Sequence, residues 1–118
     1  MDEQGVREAI QGYFDAGDEI NGDKMREVFY DIAHLYACGE DGELLAWDMD
    51  TFIGIMETNL PGYPPCNEII SIDFTSEDTA VARVKVRVMD TLYTDILSFI
   101  RLDGKWKVIA KVFAGVPV

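Results

Sequence analysis

Apolar residues in the first part of the chain recur at helical spacing. Roughly residues 3–19 are predicted to form an amphipathic helix whose apolar side consists of Val6, Ile10, Tyr13, Phe14 and Gly17. The Asn21-Gly22 pair interrupts this pattern, and Asp23 can cap a short second helix with its apolar side at Met25, Val28 and Phe29. The chain is therefore expected to begin with two helices.

A small hairpin and a third helix are predicted next. The stretch Ile32 to Cys38 is strand-like, and a turn at residues 40–42 leads into a second strand at residues 43–47. Asp48 or Asp50 can then cap a third helix, in which the apolar positions are Met49, Phe52, Ile53 and Met56. Residues 60–65 contain prolines, which lack the amide donor and clash with the preceding turn, so this segment is predicted to be a loop that can form a pocket rim.

The second half of the chain reads as a series of strands with short connections. The predicted strands run from Asn67 to Phe74, Thr79 to Met89, Leu92 to Leu102 and Lys105 to Phe113, with tight turns at Asp90-Thr91 and Asp103-Gly104. Short turns make neighbouring strands antiparallel. Helices grouped apart from such a sheet indicate an α+β fold, and 118 residues suit one domain spanning residues 1–118.

One face of this predicted sheet is apolar except for a single carboxylate, Asp95. Strand alternation places on that face Ala82, Val84, Val86, Val88, Tyr93, Asp95, Leu97, Phe99, Trp106, Val108, Ala110 and Val112. An acid in such surroundings is either a structural group held by a partner or the polar centre of a pocket. Withdrawn from water, it could serve as a general acid or base.

The opposite face of the predicted sheet mixes basic and apolar side chains. Its basic members are Arg83, Lys85, Arg87, Lys105, Lys107 and Lys111. Its larger apolar members are Ile96, Ile100, Ile109 and Phe113. The face is either an ordinary solvated surface or a homodimer interface, and the size of the apolar patch favours the dimer.

Charge and cysteine content restrict the partners and the compartment. Ten Lys and Arg residues against 22 Asp and Glu residues give a net charge of −12, which disfavours nucleic acids and anionic membranes as partners. Cys38 and Cys66 lack metal-type spacing, and no secretory signal or apolar run of about 20 residues is present. We therefore expect a cytoplasmic protein with two buried, reduced thiols.

Several segments together resemble a known superfamily. They are the helix containing Tyr13, the Asn21-Gly22-Asp23 break, the run from Phe29 to Tyr36, and the strands that end in Asp103-Gly104-Lys105-Trp106-Lys107-Val108. Together they resemble the nuclear transport factor 2-like (cystatin-like fold) superfamily. Residues 94–98 and 105–113 more narrowly resemble the family called putative lumazine-binding proteins.

This resemblance implies a cone-shaped fold. Three N-terminal helices would pack on a strongly bent antiparallel sheet that encloses a cavity, and subunits would pair through their sheets. Relatives with this cone include ketosteroid isomerases, dehydratases and polyketide cyclases as well as proteins that only bind ligands, so the fold does not choose a function. Tyr13 matches the oxyanion-binding tyrosine of the steroid isomerases, whereas their catalytic aspartate falls near Ala37, which disfavours steroid isomerisation.

The candidate site residues follow from the predicted cavity and this resemblance. Asp95 and Tyr13 are the candidate catalytic pair. The candidate ligand-binding residues are Tyr36, Trp47, Tyr93, His34, Phe99 and Val112. Aromatic side chains with polar tips suit a flat organic ligand, although core packing is the alternative for each of them. The sequence has no cofactor-binding fingerprint, and its single histidine, His34, lacks a second ligand of the kind that metal sites use, so we expect neither a cofactor nor a metal.

Three functions remain open at this point. The first is a dimeric protein that binds a small, mainly apolar organic molecule in a conical pocket. The second is a cofactor-independent isomerase, dehydratase or cyclase that uses Asp95 as general acid or base. The third is a dimeric interaction module in which side chains fill the cavity.

Overall fold

A computed structural model describes residues 1–118 and contains three helices and six strands. In chain order these are α1 (Glu3–Asp18), α2 (Gly22–Val28), β1 (Phe29–Cys38), β2 (Leu44–Asp48), α3 (Met49–Met56), β3 (Asn67–Ser76), β4 (Thr79–Val88), β5 (Thr91–Leu102) and β6 (Lys105–Pro117). The predicted α+β class and the predicted order of elements are confirmed.

All six strands belong to one curled sheet. Their order is β2-β1-β6-β5-β4-β3, and every neighbouring pair is antiparallel except β1 and β6, which run parallel. The long chain separation of β1 and β6 allows this parallel pairing, because no tight turn joins them. The apolar sides of the helices bury Val6, Ile10 and Phe14 from α1 together with Phe52 and Ile53 from α3.

Each helix begins at a side-chain cap. The carboxylate of Asp2 caps α1 and also accepts a hydrogen bond from the indole nitrogen of Trp106 at 2.9 Å, which joins the start of α1 to β6. The amide of Asn21 caps α2, so the prediction that Asp23 caps this helix is wrong. Asp23 instead lies in the first turn, where its charge complements the helix dipole. Asp48 caps α3, which confirms one of the two predicted candidates, Asp48 and Asp50.

The turn between β4 and β5 lies one residue earlier than predicted. Val88 pairs with Thr91, so the two turn residues are Met89 and Asp90, and Met89 has a φ of 50°. The turn shift changes the pairing register by two residues. A change of two residues leaves every side chain on its predicted face, because strand alternation has a period of two.

A β-bulge in β6 changes the face of the residues that follow it. Phe99 pairs with Val108, but the preceding residue, Ser98, pairs with Ala110, so Ile109 is an extra residue on β6. Beyond the bulge, Leu97 pairs with Lys111 and Asp95 pairs with Phe113.

Four predicted orientations in β6 are therefore wrong. Lys111 and Phe113 lie on the inner face, not the outer one, whereas Ala110 and Val112 lie on the outer face, where Val112 has 51% of its surface exposed. Phe113 is consequently not part of the predicted dimer face. The extra residue at the bulge reverses the alternation from which these positions were predicted.

The prediction of buried thiols is also wrong. Cys38 and Cys66 are both unpaired and both exposed. Cys38 lies at the end of β1 and Cys66 lies in the loop before β3, where neither is covered by another element. None of the three helices has the length and apolar character needed to cross a membrane.

Candidate functional site

A cavity of about 180 Å³ opens between α1, α3, the loop after α3 and the inner face of the sheet. Its walls are mainly apolar and include Phe14, Trp47, Phe52, Met56, Val86, Tyr93 and Phe113. Residues Leu60 to Tyr63 line its mouth, in agreement with the predicted loop. The cavity is open, so the alternative of a cavity filled by side chains does not describe this structure.

Three polar side chains meet at the inner wall of the cavity: Asp95, Tyr13 and Lys111. The Tyr13 hydroxyl donates a hydrogen bond to Oδ2 of Asp95 at 2.6 Å, and Nζ of Lys111 donates one to the Tyr13 hydroxyl oxygen at 2.7 Å. Nζ also lies 3.8 Å from Oδ2 of Asp95. We call these residues the polar cluster.

Secondary structure explains how residues so distant in the chain meet. Tyr13 lies on the apolar side of α1, which packs onto the sheet, and Asp95 lies on the inner face of β5 between Val84 of β4 and Phe113 of β6. Lys111 reaches the same point because the bulge turns it inward. Helix packing, strand pairing and the bulge thus each contribute one member of the polar cluster.

One oxygen of the polar cluster has no partner. Asp95 is fully buried, and its Oδ1 accepts no hydrogen bond from any side chain or backbone group. Buried carboxylate oxygens are normally hydrogen-bonded, because leaving one unsatisfied costs free energy. Asp95 is one of the residues that line the cavity, but Oδ1 itself is buried and has no exposed surface towards it.

Burial changes the proton affinities of the other two members. Desolvation lowers the pKa of Lys111 below its ordinary value, and the nearby charge of Asp95 offsets part of this effect. Desolvation and the Asp95 carboxylate both raise the pKa of Tyr13. Tyr13 therefore stays protonated, and its hydroxyl donates a hydrogen bond to Asp95.

Aromatic rings surround the Lys111 nitrogen. Nζ lies 5.0 Å from the ring centre of Tyr13, 4.8 Å from that of Phe52 and 5.2 Å from that of Phe113. Ring faces favour the cationic form of lysine. They also hold the side chain in one position at the cavity wall.

The structure brings together four of the eight predicted site residues. Asp95 and Tyr13 are hydrogen-bonded to each other, and Trp47 and Tyr93 line the cavity. The rings of Trp47 and Tyr93 lie 5.5 Å and 5.8 Å from the ring of Phe113, so the three form a continuous aromatic wall.

The prediction that the other four residues line the cavity is wrong. His34 and Tyr36 stack on each other on the outer face of β1, because the alternation of that strand turns Ala33 and Leu35 inward. Phe99 is only 1% exposed and packs in the core. Val112 lies outside as a consequence of the bulge.

Lys111 is the member of the polar cluster that the sequence did not predict. Val108, Ile109 and Ala110 form an apolar run that interrupts the alternation of basic and apolar residues in β6. Lys105, Lys107 and Lys111 nevertheless all fall at odd positions, so simple alternation assigns Lys111 to the outer face and gives no sign of the bulge. No group of three or more His, Cys, Asp or Glu side chains is arranged to hold a metal ion.

Comparison with known proteins gives one family and one curated relative. A family model described as "Putative lumazine-binding" matches residues 1–114. Aldolase FrzH from Cladobotryum sp. is 24% identical over 107 residues, covering 89% of this chain and 84% of the relative.

Solved structures share the fold over almost the whole chain. An NTF2-like protein of unknown function from Shewanella baltica OS155 superposes with a TM-score of 0.90 at 20% identity, covering 98% of this chain and 94% of its own. Another such protein, from Methylobacillus flagellatus KT, gives a TM-score of 0.87 at 25% identity, covering 98% and 92%. The predicted nuclear transport factor 2-like fold is confirmed.

Proposed function

The chain belongs to the Putative lumazine-binding family, and we propose that it binds a small, mainly apolar organic molecule in the cavity lined by the polar cluster. The observation that carries this proposal is an open, mainly apolar cavity whose inner wall holds the three hydrogen-bonded side chains of the polar cluster. A ligand with one polar atom could hydrogen-bond to this cluster while its apolar body packs against the walls.

The walls of the cavity favour a flat ligand with few polar atoms. Trp47, Tyr93 and Phe113 offer ring faces for stacking, while the polar cluster offers hydrogen bonds at one point only. Pockets with apolar walls and a few fixed polar groups are typical of small-molecule sites. The family description names lumazine, a flat heteroaromatic compound, which is therefore one member of the ligand panel proposed below.

A second candidate function is cofactor-independent isomerase, dehydratase or cyclase chemistry with Asp95 as general acid or base. The continuous hydrogen bonds from Lys111 through Tyr13 to Asp95 favour it, because they offer a path along which a proton can move. Tyr13 and Lys111 would stabilise negative charge that develops on a substrate oxygen. The similarity to a protein named as an aldolase also supports chemistry at a carbonyl compound.

A thermal-shift screen tests the binding proposal. The panel would contain lumazine, a flavin, a steroid and several aromatic aldehydes, ketones and alcohols, and we expect at least one aromatic compound to raise the melting temperature. Val86→Phe should abolish this shift, because Val86 lines the cavity and a larger side chain there reduces its volume. Lys85→Phe, on the other face of the same strand, should retain the shift.

The outcome that contradicts binding is equally clear. If no compound in the panel stabilises the wild-type protein, or if Val86→Phe and Lys85→Phe respond alike, the cavity is not the binding site. For the enzyme candidate, turnover of a bound compound should be lost in Asp95→Asn. Full turnover in that variant would exclude Asp95 as the acid or base.

We also propose that two copies pair through the outer sheet face. Ile96 and Ile100 lie on this face, partly exposed, and the bulge adds Val112 and Val116, which are 51% and 60% exposed. Apolar side chains grouped on an exposed sheet face support pairing between two copies. Sedimentation should therefore give a dimer for the wild type and a monomer for Ile96→Glu.

Leu60→Glu is the matched control for the dimer. Leu60 is 63% exposed but lies at the cavity mouth, away from the outer sheet face. It should leave the molecular mass unchanged. A monomeric wild type, or a dimer that survives Ile96→Glu, would contradict pairing through this face.

A further inference from the structure

Lys111 differs from the other four lysines of the chain in its position. Lys24, Lys85, Lys105 and Lys107 are at least partly exposed, whereas Lys111 is 7% exposed and lines the cavity. Placing an amine among apolar side chains costs free energy unless the fold compensates it. This placement is what an amine that acts on a bound molecule would require.

We propose that Lys111 is a nucleophile that forms an imine with aldehyde or ketone ligands in the cavity. The inference rests on the proposed small-molecule cavity and names the substrate class, carbonyl compounds with an apolar or aromatic body. It adds a covalent step to a site for which only binding and proton transfer have been proposed above.

The environment of Nζ favours the neutral amine, which is the form that reacts with a carbonyl group. Only the neutral amine has the lone pair needed for attack, and desolvation lowers the pKa of Lys111, which increases the neutral fraction at a given pH. The hydrogen bonds of the polar cluster provide a route for the proton that Lys111 loses. Tyr13 can accept it while passing its own proton to Asp95.

The reaction balances without a further reagent. The nitrogen of the neutral amine attacks the carbonyl carbon, and the resulting alkoxide takes a proton to give a carbinolamine. The carbon–oxygen bond then breaks as the carbon–nitrogen double bond forms, and the carbonyl oxygen leaves as one water molecule with the two hydrogens of the amine. The proton held by Asp95 returns through Tyr13 to the imine nitrogen.

The polar cluster can also assist the step after imine formation, in which the carbon next to the imine loses a hydrogen. A protonated imine withdraws electrons and acidifies the hydrogens on the neighbouring carbon, which is the basis of amine-catalysed aldol chemistry. The hydrogen-bonded pair of Tyr13 and Asp95 is the base that the polar cluster offers for that hydrogen. The rings of Tyr13, Phe52 and Phe113 around Nζ favour the cationic nitrogen of the protonated imine.

The test traps the imine by reduction. The wild-type protein is incubated with benzaldehyde and sodium cyanoborohydride, which delivers hydride to the imine carbon and leaves one benzyl group on the reacting amine. Intact mass and peptide mapping then locate the group. We expect it on Lys111, with little on the surface lysines in the same time, because a larger fraction of the Lys111 amine is neutral and the cavity holds the aldehyde beside it.

Two lysines of the same strand provide the matched variants. Lys111→Met should lose the rapid addition, and Lys107→Met, on the outer side of β6 before the bulge, should retain it. The peptide map of the wild type remains a valid test even if Lys111→Met folds poorly, because it locates the benzyl group without any substitution. Benzyl groups distributed over the exposed lysines, or absent from Lys111, would overturn the inference.

Benzyl alcohol separates this inference from the binding proposal. It has the same ring as benzaldehyde but no carbonyl group, so it can occupy the cavity without forming an imine. Binding of benzyl alcohol without trapping of benzaldehyde would overturn the imine and leave the cavity as a binding site. If neither compound binds or reacts and the wider ligand panel also fails, the binding proposal is overturned as well.

Discussion

The Nζ atom of Lys111 lies 2.7 Å from the hydroxyl oxygen of Tyr13, although 98 positions separate the two residues in the chain. Tyr13 uses its single hydroxyl both to accept from Lys111 and to donate to Asp95. An acidic and a basic side chain are thus joined by one neutral side chain at the wall of an apolar cavity.

Lys111 and Asp95 should be energetically coupled. Lys111→Met leaves the Asp95 carboxylate buried beside Tyr13 alone and should lower the free energy of unfolding by about 3–5 kcal/mol, the usual cost of breaking a buried pair. Combining it with Asp95→Leu should cost about 1–3 kcal/mol less than the sum of the two single changes. Urea unfolding of the four proteins measures the difference. Strictly additive costs would show that the two groups do not interact.

The stability of the protein should depend on Lys111 in alkaline solution. Because burial lowers the pKa of Lys111 in the folded state, the unfolded chain binds more protons between that lowered pKa and about 10.4. The free energy of unfolding should therefore rise with pH across this window in the wild type. The rise should be smaller in Lys111→Met and unchanged in Lys107→Met. Equal pH profiles for wild type and Lys111→Met would contradict the lowered pKa.

Tyr13 should be among the last tyrosines to ionise. Burial and Asp95 raise its pKa above the ordinary value of about 10, so Tyr13 stabilises the folded state below that pH and the contribution is lost as pH rises through the raised pKa. Ultraviolet titration of the folded protein should show fewer than five tyrosines ionising before alkaline unfolding. Tyr13→Phe should remove a late component. Five tyrosines titrating together in the folded protein would be inconsistent with this environment.

Gly115 should be intolerant of a side chain, although it lies near the exposed end of β6. It pairs with Tyr93, and a Cβ atom at this position would lie 2.7 Å from the Tyr93 ring and 2.6 Å from Cγ2 of Thr91. Gly115→Val should therefore displace Tyr93 and cost about 1–3 kcal/mol. Ala114→Val, on the exposed outer side, is the control and should be nearly neutral. Equal unfolding free energies for the two variants would show that Tyr93 moves freely.

The sequence predicted the fold well because its strongest patterns are local. The spacing of Val6, Ile10 and Phe14 and the alternation of β4 and β5 each reflect one buried side, which the structure retains. The turn between β4 and β5 was predicted one residue too late, but every side chain still lies on its predicted face of the sheet, because the register changes by two residues. Asp95 and Tyr13 were identified for the same reason.

The rest of the site depends on information that alternation does not carry. One extra residue at Ile109 reverses the predicted inner and outer sides of all later residues in β6, so the same error misplaced Ala110, Lys111, Val112 and Phe113. The wrong prediction for His34 and Tyr36 has another origin. Apolar and polar residues do not alternate regularly in β1, so the sequence does not show which side of the strand is buried. Contacts with α3 and β6 determine that Ala33 and Leu35 are the buried residues.

The irregularity at Ile109 has a consequence for how such sites can arise. Deleting Ile109 would remove the bulge and leave Lys111 opposite Leu97, so the amine would stay in the interior of a strand that is one residue shorter. A protein with the same scaffold and a regular last strand could therefore hold an interior lysine at a position that simple alternation along this chain would assign to the outer face. Alignments of relatives should accordingly be inspected for length at this strand before residue types are compared.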